Sequence, residues 1–234
     1  MGKELKLNDI GVVIPVREGS SRIKNKVLLP FGTDETLLEW KINQLKQVIS
    51  SHQIIVSTDS QKLIDIAKNN NVKYSVREKY LCEDHKASFN EVICGVVKSV
   101  EYPIIAWVTV VVPLMRPKEY LNAFKKYLEI VNDKNSTYDS LASFNLLKEY
   151  LWGENQPINY RADKHHTVSQ DLPNIYRITN GLYMYDKKSI LKKEYFLGHN
   201  PYKFLVDKVS GVDIDEIEDY NMALSLYSYY LENI

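Results

Sequence analysis

The sequence predicts an α/β fold, a mainly parallel sheet with helices on both faces. Apolar runs of strand length alternate with segments of helical spacing through residues 1–145. This alternation is the βαβ pattern of a parallel sheet that helices cover on both faces. No repeat and no Pro/Gly/Ser-rich linker divides the 234 residues. One domain over residues 1–234 is therefore expected.

The first part of the chain supplies most of the predicted elements in the order strand, helix, strand. The apolar runs lie at 10–16, 54–57, 72–76, 104–112 and 140–145. The helical patterns lie at 37–48, around Leu63, Ile66 and Ala67, at 91–99 and at 119–131. Asp59 or Ser60 is expected to cap the second helix, since either side-chain oxygen can accept from the first turn.

The pattern changes in the second half of the chain. Residues 150–171 are polar, aromatic and irregular. They predict an inserted region, placed at 146–186, that covers the sheet edge or carries a subunit contact. Strand character returns at 180–185 and 212–215. The chain closes with a predicted amphipathic helix carrying Tyr220, Ala223, Leu224, Tyr227 and Leu231.

Charge and composition exclude several classes of protein. Thirty basic residues balance thirty acidic ones, so no overall field favours nucleic acid or anionic lipid, and any phosphate needs a local cluster of charge. The longest apolar run, 104–112, is about half of the ~20 residues that a membrane helix needs. The first residues lack the apolar core of a signal peptide. The two cysteines, Cys82 and Cys94, form no motif and are predicted packing residues, so a cytoplasmic protein is expected.

The loop after the first predicted strand is a candidate phosphate site. The carboxyl ends of parallel strands are where ligands bind in open α/β sheets. Gly19 permits close backbone approach and the Ser20 hydroxyl can donate to a phosphate oxygen. Four cations lie in this loop: Arg17, Arg22, Lys24 and Lys26. A solvated basic surface loop is the alternative, and neither a Walker loop nor G-x-G-x-x-G is present.

Two carboxylates near the end of the chain form a candidate metal site. Asp213 and Asp215 alternate on the predicted strand 212–215, which places both on one face. Hard oxygen ligands at this separation suit Mg²⁺ completed by waters and phosphate oxygens. A helix-capping box formed by Asp215 and Glu218 is the alternative.

These segments together resemble one enzyme family. The opening motif reads Val12-Val13-Ile14-Pro15-Val16-Arg17, then Gly19-Ser20, Arg22-Ile23 and Lys26. The later segments read Ile54 to Asp59, Arg77 to Leu81 with Asp84 and Ser88, Pro113-Leu114, Gln170 to Pro173 with Tyr176-Arg177, Asn180-Gly181 with Tyr183, and Asp213-Ile214-Asp215 with Asp219. In this order, over nearly the whole chain, they resemble the acylneuraminate cytidylyltransferases (CMP-sialic acid synthetases) and the related KDO-activating enzymes.

The resemblance implies a fold, a reaction and a set of roles. The fold would be a Rossmann-like nucleotidyltransferase with an acceptor-side or dimer-contact insertion at 146–186. The enzyme would join an acidic 2-keto sugar to CMP from CTP and release pyrophosphate, for surface glycan synthesis, with Mg²⁺ (or Mn²⁺) and as a homodimer. The implied catalytic residues are Arg17, Lys26 and Asp215, and the implied metal ligands are Asp213 and Asp215. The implied nucleotide contacts are Arg17, Gly19, Ser20, Arg22, Lys26, Arg77 and Ser88. The implied acceptor contacts are Thr109, Gln170, Tyr176, Arg177 and Asn180.

Departures from the family pattern leave the acceptor open. Val27 stands where the sialic acid enzymes often have Asn, Thr109 where they have Gln, and Ser169 where they often have Arg. A metal-binding Asp of the KDO enzymes is replaced by Val111, which disfavours their split metal site. Ser169 lacks the bidentate charge that would pair with a sugar carboxylate.

Three alternatives therefore remain open. The same chemistry could act on a pseudaminic- or legionaminic-type sugar, on KDO or on a non-sugar nucleophile. The chain could be a degenerate paralogue that binds nucleotide without turnover. A glycosyltransferase with its own D-x-D motif is the third alternative, and the basic loop fits it poorly.

Overall fold

A seven-stranded sheet organises the residues that this computed structural model describes, 4–20, 22–83 and 86–233. Its spatial order is β3-β2-β1-β4-β6-β5-β7. The strands are β1 Ile10–Pro15, β2 Ile54–Thr58, β3 Lys73–Val76, β4 Ile104–Val108, β5 Ser140–Leu147, β6 Ile175–Asp186 and β7 Pro201–Leu205. Every adjacent pair is parallel except the two that β6 forms with β4 and β5. The predicted mainly parallel sheet is confirmed.

Helices cover both faces of this sheet, and alternate strand residues point into two separate cores. Val12 and Ile14 of β1 pack in the core under α1, α2, α4, α6 and α7, whereas Val13 packs in the core under α3 and α5. The helices are α1 Leu37–Lys46, α2 Gln61–Asn69, α3 Phe89–Lys98, α4 Pro117–Asn132, α5 Lys187–Lys193, α6 Ile217–Ser225 and α7 Tyr227–Glu232. No helix of the described ranges is long and apolar enough to cross a membrane.

Most predicted elements match the observed ones, and the misses have local causes. Ser60 caps α2, accepting from the Leu63 amide at 3.3 Å. The apolar run 104–112 ends as a strand at Val108, because the following residues turn into a loop. The predicted strand 212–215 is wrong: this segment lies outside the sheet and is extended loop. The short, lysine-rich α5 and the short edge strand β7 were not predicted.

The range 146–186 contains both sheet strands and an excursion. It includes the end of β5 and all of β6, which pairs with β4 from Val108↔Leu182 to Ile104↔Asp186. Residues 148–174 lie between these two strands and hold only a short 3-10 helix and an isolated bridge. The excursion from the sheet is therefore this shorter segment.

Polar side chains of α1 donate hydrogen bonds to the loop that follows β4. Buried Gln44 donates through Nε2 to the carbonyls of Pro113 (2.9 Å) and Met115 (3.0 Å) and to the Tyr230 hydroxyl. The fully buried Lys41 Nζ donates to the Val112 carbonyl at 2.9 Å. Its burial holds the Lys41 pKa well below the ordinary range. Because carbonyls turned away from a sheet need other donors, these side chains determine the path of the loop, residues 109–115.

Replacement of Gln44 by Leu should destabilise the protein. It leaves the Met115 carbonyl and the Tyr230 hydroxyl buried without this donor, which costs about 2–4 kcal/mol of unfolding free energy. Urea denaturation measures the change. Gln47→Leu, at the exposed C-cap position of the same helix, should change it by less than about 0.5 kcal/mol. Equal effects in the two variants would contradict this account of the loop.

Candidate active site

The predicted phosphate loop forms one wall of a cavity at the carboxyl edge of the sheet. The cavity has a volume of about 240 Å³, and its opposite wall is formed by Val110 and Val111. Its other lining residues are Pro15, Val16, Arg17, Gly19, Ser20, Arg22, Lys26 and Val27. The structure thus brings together five residues of the predicted phosphate loop: Arg17, Gly19, Ser20, Arg22 and Lys26. Lys24 is exposed and does not line this cavity.

The acidic segment at 213–215 contacts this loop directly. Arg22 Nη2 lies 2.7 Å from Asp215 Oδ1, and Lys26 Nζ lies 3.9 Å from the same oxygen. Lys26 also donates to the Ile214 carbonyl. Burial lowers the pKa of Lys26, and the neighbouring Asp215 opposes that shift. The basic and acidic clusters found in the sequence are therefore two sides of a single site.

One carboxylate oxygen of Asp213 accepts a hydrogen bond and the other does not. Its Oδ2 accepts from Asn180 Nδ2 at 2.8 Å, whereas Oδ1 is buried with no hydrogen-bond partner. Burial raises the pKa of the Asp213 carboxyl. The segment is held by a single backbone bond from the Ile214 amide to the Val111 carbonyl, at 2.8 Å. An unpartnered buried carboxylate oxygen is a place where a cation can bind.

The cap of α6 is made by a different residue from the one that the capping alternative named. Asp219 Oδ2 accepts from the backbone amides of Asp215 (2.9 Å) and Glu216 (2.8 Å). Asp213 and Asp215 are therefore not needed as capping side chains. Within the described ranges, no group of three or more His, Cys, Asp or Glu residues could hold a metal ion, so an ion at this pair would need ligands from substrate or water.

A second cavity, of about 400 Å³, adjoins the first and shares Arg17 with it. Trp107, Phe89, Thr109 and Arg77 are among its other lining residues. Arg77 is buried and donates to the Val16 carbonyl, while its Nε has no hydrogen-bond partner. The cavity therefore combines apolar ring surface with a buried cation.

The remaining predicted nucleotide contact, Ser88, does not line either cavity. Ser88 is exposed and caps α3, its amide donating to Glu91 Oε2 at 2.8 Å. The neighbours Ala87 and Phe89 line the second cavity and Ser88 does not. Asp84, quoted in the family motif, lies outside the described residues.

Of the predicted acceptor contacts, Thr109 and Asn180 lie at this site. Thr109 Oγ1 donates to the Asn180 carbonyl at 2.8 Å, and Asn180 contacts Asp213 as described. Arg177 Nη2 donates to Asn145 Oδ1 (2.6 Å) and to the Gly211 carbonyl (3.2 Å), so it tethers the chain leading to Asp213.

The remaining two predicted acceptor contacts are Gln170, which lies on the excursion at 148–174, and Tyr176, which lies just after it. Tyr176 is 37% exposed under Lys203 Nζ, and Gln170 is exposed in the 3-10 helix Ser169–Asp171. Ser169, one of the departures from the family pattern, donates its hydroxyl to Gln170 at 3.4 Å.

Three residues at or near the site were given no individual role from the sequence, although Tyr183 belongs to the family motif Asn180-Gly181-x-Tyr183. Tyr183 donates to Asn180 Oδ1 at 2.7 Å. Asn145 supports the Val206 and Asp207 carbonyls at 2.9 and 2.8 Å. Trp107 lines the second cavity. The spacing of Tyr183 from Asn180 in the sequence was a weak signal of a role for Tyr183. No local pattern marks Asn145 or Trp107.

Comparison with known proteins gives the class that this fold and site define. The family model "Cytidylyltransferase" matches residues 11–228. The chain belongs to the cytidylyltransferase family, and the enzyme class predicted from its motifs is confirmed.

The individual relatives share low sequence identity with this chain. The chain is 23% identical over 223 residues to the pseudaminic acid cytidylyltransferase of Campylobacter jejuni, covering 92% of this chain and 94% of the relative. It is 24% identical over 220 residues to the N-acylneuraminate cytidylyltransferase of Escherichia coli, covering 92% of this chain and 51% of that protein.

Solved structures agree in fold. CMP:2-keto-3-deoxy-manno-octonic acid synthetase, complexed with CTP, has a TM-score of 0.63 at 14% identity, covering 94% of this chain and 98% of the other. The 4-diphosphocytidyl-2C-methyl-D-erythritol synthase of Anaerococcus prevotii has a TM-score of 0.58 at 14% identity, covering 97% and 98%. The predicted Rossmann-like nucleotidyltransferase fold is confirmed.

The cysteine beside the site should be unreactive in the folded protein. Cys82 is 7% exposed, and burial raises its pKa to about 11, so the thiol stays protonated at pH 8. Iodoacetamide should label Cys82 slowly at pH 8 and faster as the pH rises toward 11, measured by peptide mass spectrometry. Urea-unfolded protein, in which the thiol is exposed, is the control. Equal labelling rates for folded and unfolded protein at pH 8 would refute the assignment of Cys82 to packing.

Proposed function

We propose that this protein transfers CMP from CTP to an acidic 2-keto sugar and releases pyrophosphate, in the synthesis of a surface glycan. One observation carries the proposal: the cationic loop at Arg17–Lys26 meets the acidic segment at Asp213–Asp215 beside a cavity at the carboxyl edge of the sheet. The names of the curated relatives support the class of acceptor.

The loop would bind the triphosphate. Arg17, Arg22 and Lys26 border the cavity, and Ser20 supplies a further donor there. Arg22 pairs with Asp215 across a half-exposed surface, where an ion pair is worth little stability. Arg22 can therefore exchange Asp215 for a phosphate oxygen at small cost. In-line displacement at phosphorus depends mainly on such positioning and charge neutralisation.

Asp213 and Asp215 would hold the metal. The buried, unpartnered Oδ1 of Asp213 fits a hard cation, and Asp215 fits once Arg22 has turned to phosphate. Mg²⁺ is proposed and Mn²⁺ is an acceptable substitute. When bound, the ion would supply charge stabilisation to the α-phosphoryl group and orient the attacking hydroxyl.

The second cavity would take the cytidine and Thr109 would border the acceptor. Trp107 and Phe89 offer apolar ring surface to a base, and the unpartnered Arg77 Nε offers a donor. Ser88 would need to give up its capping hydrogen bonds with Glu91 to contact the base. Thr109 lines this cavity and also contacts Asn180, so the acceptor would lie between cytidine and Asp213.

We further propose a homodimer and a cytoplasmic location. The excursion at 148–174 exposes large apolar side chains, with Trp152 at 58% and Ile158 at 64% exposure. A second copy of the chain would cover them. Cys82 and Cys94 are both free thiols, which suits a reducing compartment.

Removal of the half-buried lysine of the loop, Lys26, should abolish turnover. Lys26→Ala removes a cation from the triphosphate cavity and should lower pyrophosphate release at least about 100-fold. Lys24→Ala, an exposed lysine of the same loop outside the cavity, should remain within about threefold of the wild type. Circular dichroism checks that both variants fold. Near-wild-type release from folded Lys26→Ala would refute the assignment.

An acceptor panel should separate the remaining alternatives. CTP, Mg²⁺ and each of N-acetylneuraminic, pseudaminic, legionaminic and 3-deoxy-manno-octulosonic acids are incubated with the protein, and pyrophosphate is measured. A nine-carbon acid is expected to give the highest rate, and ATP, GTP or UTP in place of CTP a rate at least about 100-fold lower. CTP binding with no pyrophosphate from any acid would favour the paralogue without turnover.

A further inference from the structure

Asn180 occupies an unusual backbone conformation at the centre of the site. Its φ is +59°, in the left-handed region that residues other than Gly seldom adopt. The next residue, Gly181, is packed so closely that a Cβ there would lie 3.2 Å from Met115 Sδ and from Val112 Cγ1. The strand therefore packs closely against the loop at 109–115 directly after Asn180. Sparsely populated backbone conformations cluster at functional sites.

Each polar atom of the Asn180 side chain has a partner. Oδ1 accepts from the Tyr183 hydroxyl at 2.7 Å, and Nδ2 donates to Asp213 Oδ2 at 2.8 Å. The Asn180 carbonyl accepts from Thr109 at 2.8 Å. The Asn180 side chain therefore acts directly on Asp213 through its amide nitrogen.

The direction of this chain of hydrogen bonds is determined by chemistry. An ionised Asp213 carboxylate can only accept, so the Asn180 amide nitrogen must face it. The amide oxygen then faces Tyr183, whose hydroxyl must donate. The Asp213 carboxylate thereby selects the orientation of the Asn180 amide, and the hydrogen bond from the Tyr183 hydroxyl holds the amide in that orientation.

We propose that Asn180, held in place by a hydrogen bond from Tyr183, is a positioning residue that occupies Asp213 Oδ2 and leaves Oδ1 for the divalent cation. The inference rests on the proposed function. It replaces the acceptor contact that the family resemblance implies for Asn180. Partners of this kind orient a metal-binding carboxylate, and their loss commonly weakens metal affinity 10–100-fold.

Two variants test this without disturbing the fold. Asn180→Gly removes the amide and keeps the positive φ, and Tyr183→Phe removes only the hydroxyl. Tyr185→Phe, which deletes a hydroxyl two residues further along the same strand, is the matched control. Mn²⁺ binding in the presence of CTP and without acceptor is measured from the electron paramagnetic resonance of the free ion.

Asn180→Gly should weaken Mn²⁺ binding about 10–100-fold and Tyr183→Phe about tenfold, with Tyr185→Phe unchanged. The KM for acceptor at saturating Mn²⁺ should stay within about threefold in each variant. Unchanged Mn²⁺ affinity in Asn180→Gly, or a selective rise of its acceptor KM, would overturn the inference while pyrophosphate release upholds the proposed function. Wild-type Mn²⁺ binding that survives Asp213→Ala would overturn the metal site and this inference together.

Discussion

The loop at 109–115 is the constraint on which the rest of the site depends. Gln44 of α1 donates to two of its carbonyls. The loop also contacts the site: its Val111 carbonyl accepts from the Ile214 amide, and its Thr109 hydroxyl donates to the Asn180 carbonyl. One turn of irregular backbone therefore links the acidic segment and the central antiparallel strand to helix α1. Irregular backbone of this kind is stable only when every buried carbonyl finds a donor.

Electrostatics at the site are local although the whole chain is neutral. Arg22 and Lys26 meet Asp215 at the mouth of the cavity, so opposite charges offset each other before any ligand binds. Such a pair keeps cations and carboxylates in place without the repulsion that an isolated cluster would carry. It also provides partners that a triphosphate and a metal can replace without a large rearrangement, since exposed ion pairs are weak.

The fold was predictable where local patterns carry the information. Continuous apolar runs identified β1, β2 and β4 because buried parallel strands need apolar residues on both faces. The prediction failed at 109–112, which has the same composition as a strand. That segment leaves the sheet, and its Val112 and Val111 carbonyls accept instead from Lys41 of α1 and from the Ile214 amide. No local pattern records a donor some 70 residues away. The predicted strand at 212–215 failed similarly, since its backbone bonds are local (Val212 to Val209) or made to that loop (Ile214 to Val111) and none joins it to a strand.

The sequence by itself determined the class of fold, the cationic loop, the acidic pair and the family. These depend on residue type and short spacing, which the chain displays directly. Only the tertiary structure decided which atoms meet: that Arg22 reaches Asp215, that Ser88 caps a helix, and that Asn180 holds one oxygen of Asp213. The physical reason is that hydrogen bonds select particular atoms at about 3 Å, and those atoms are brought together by packing between segments far apart in the chain.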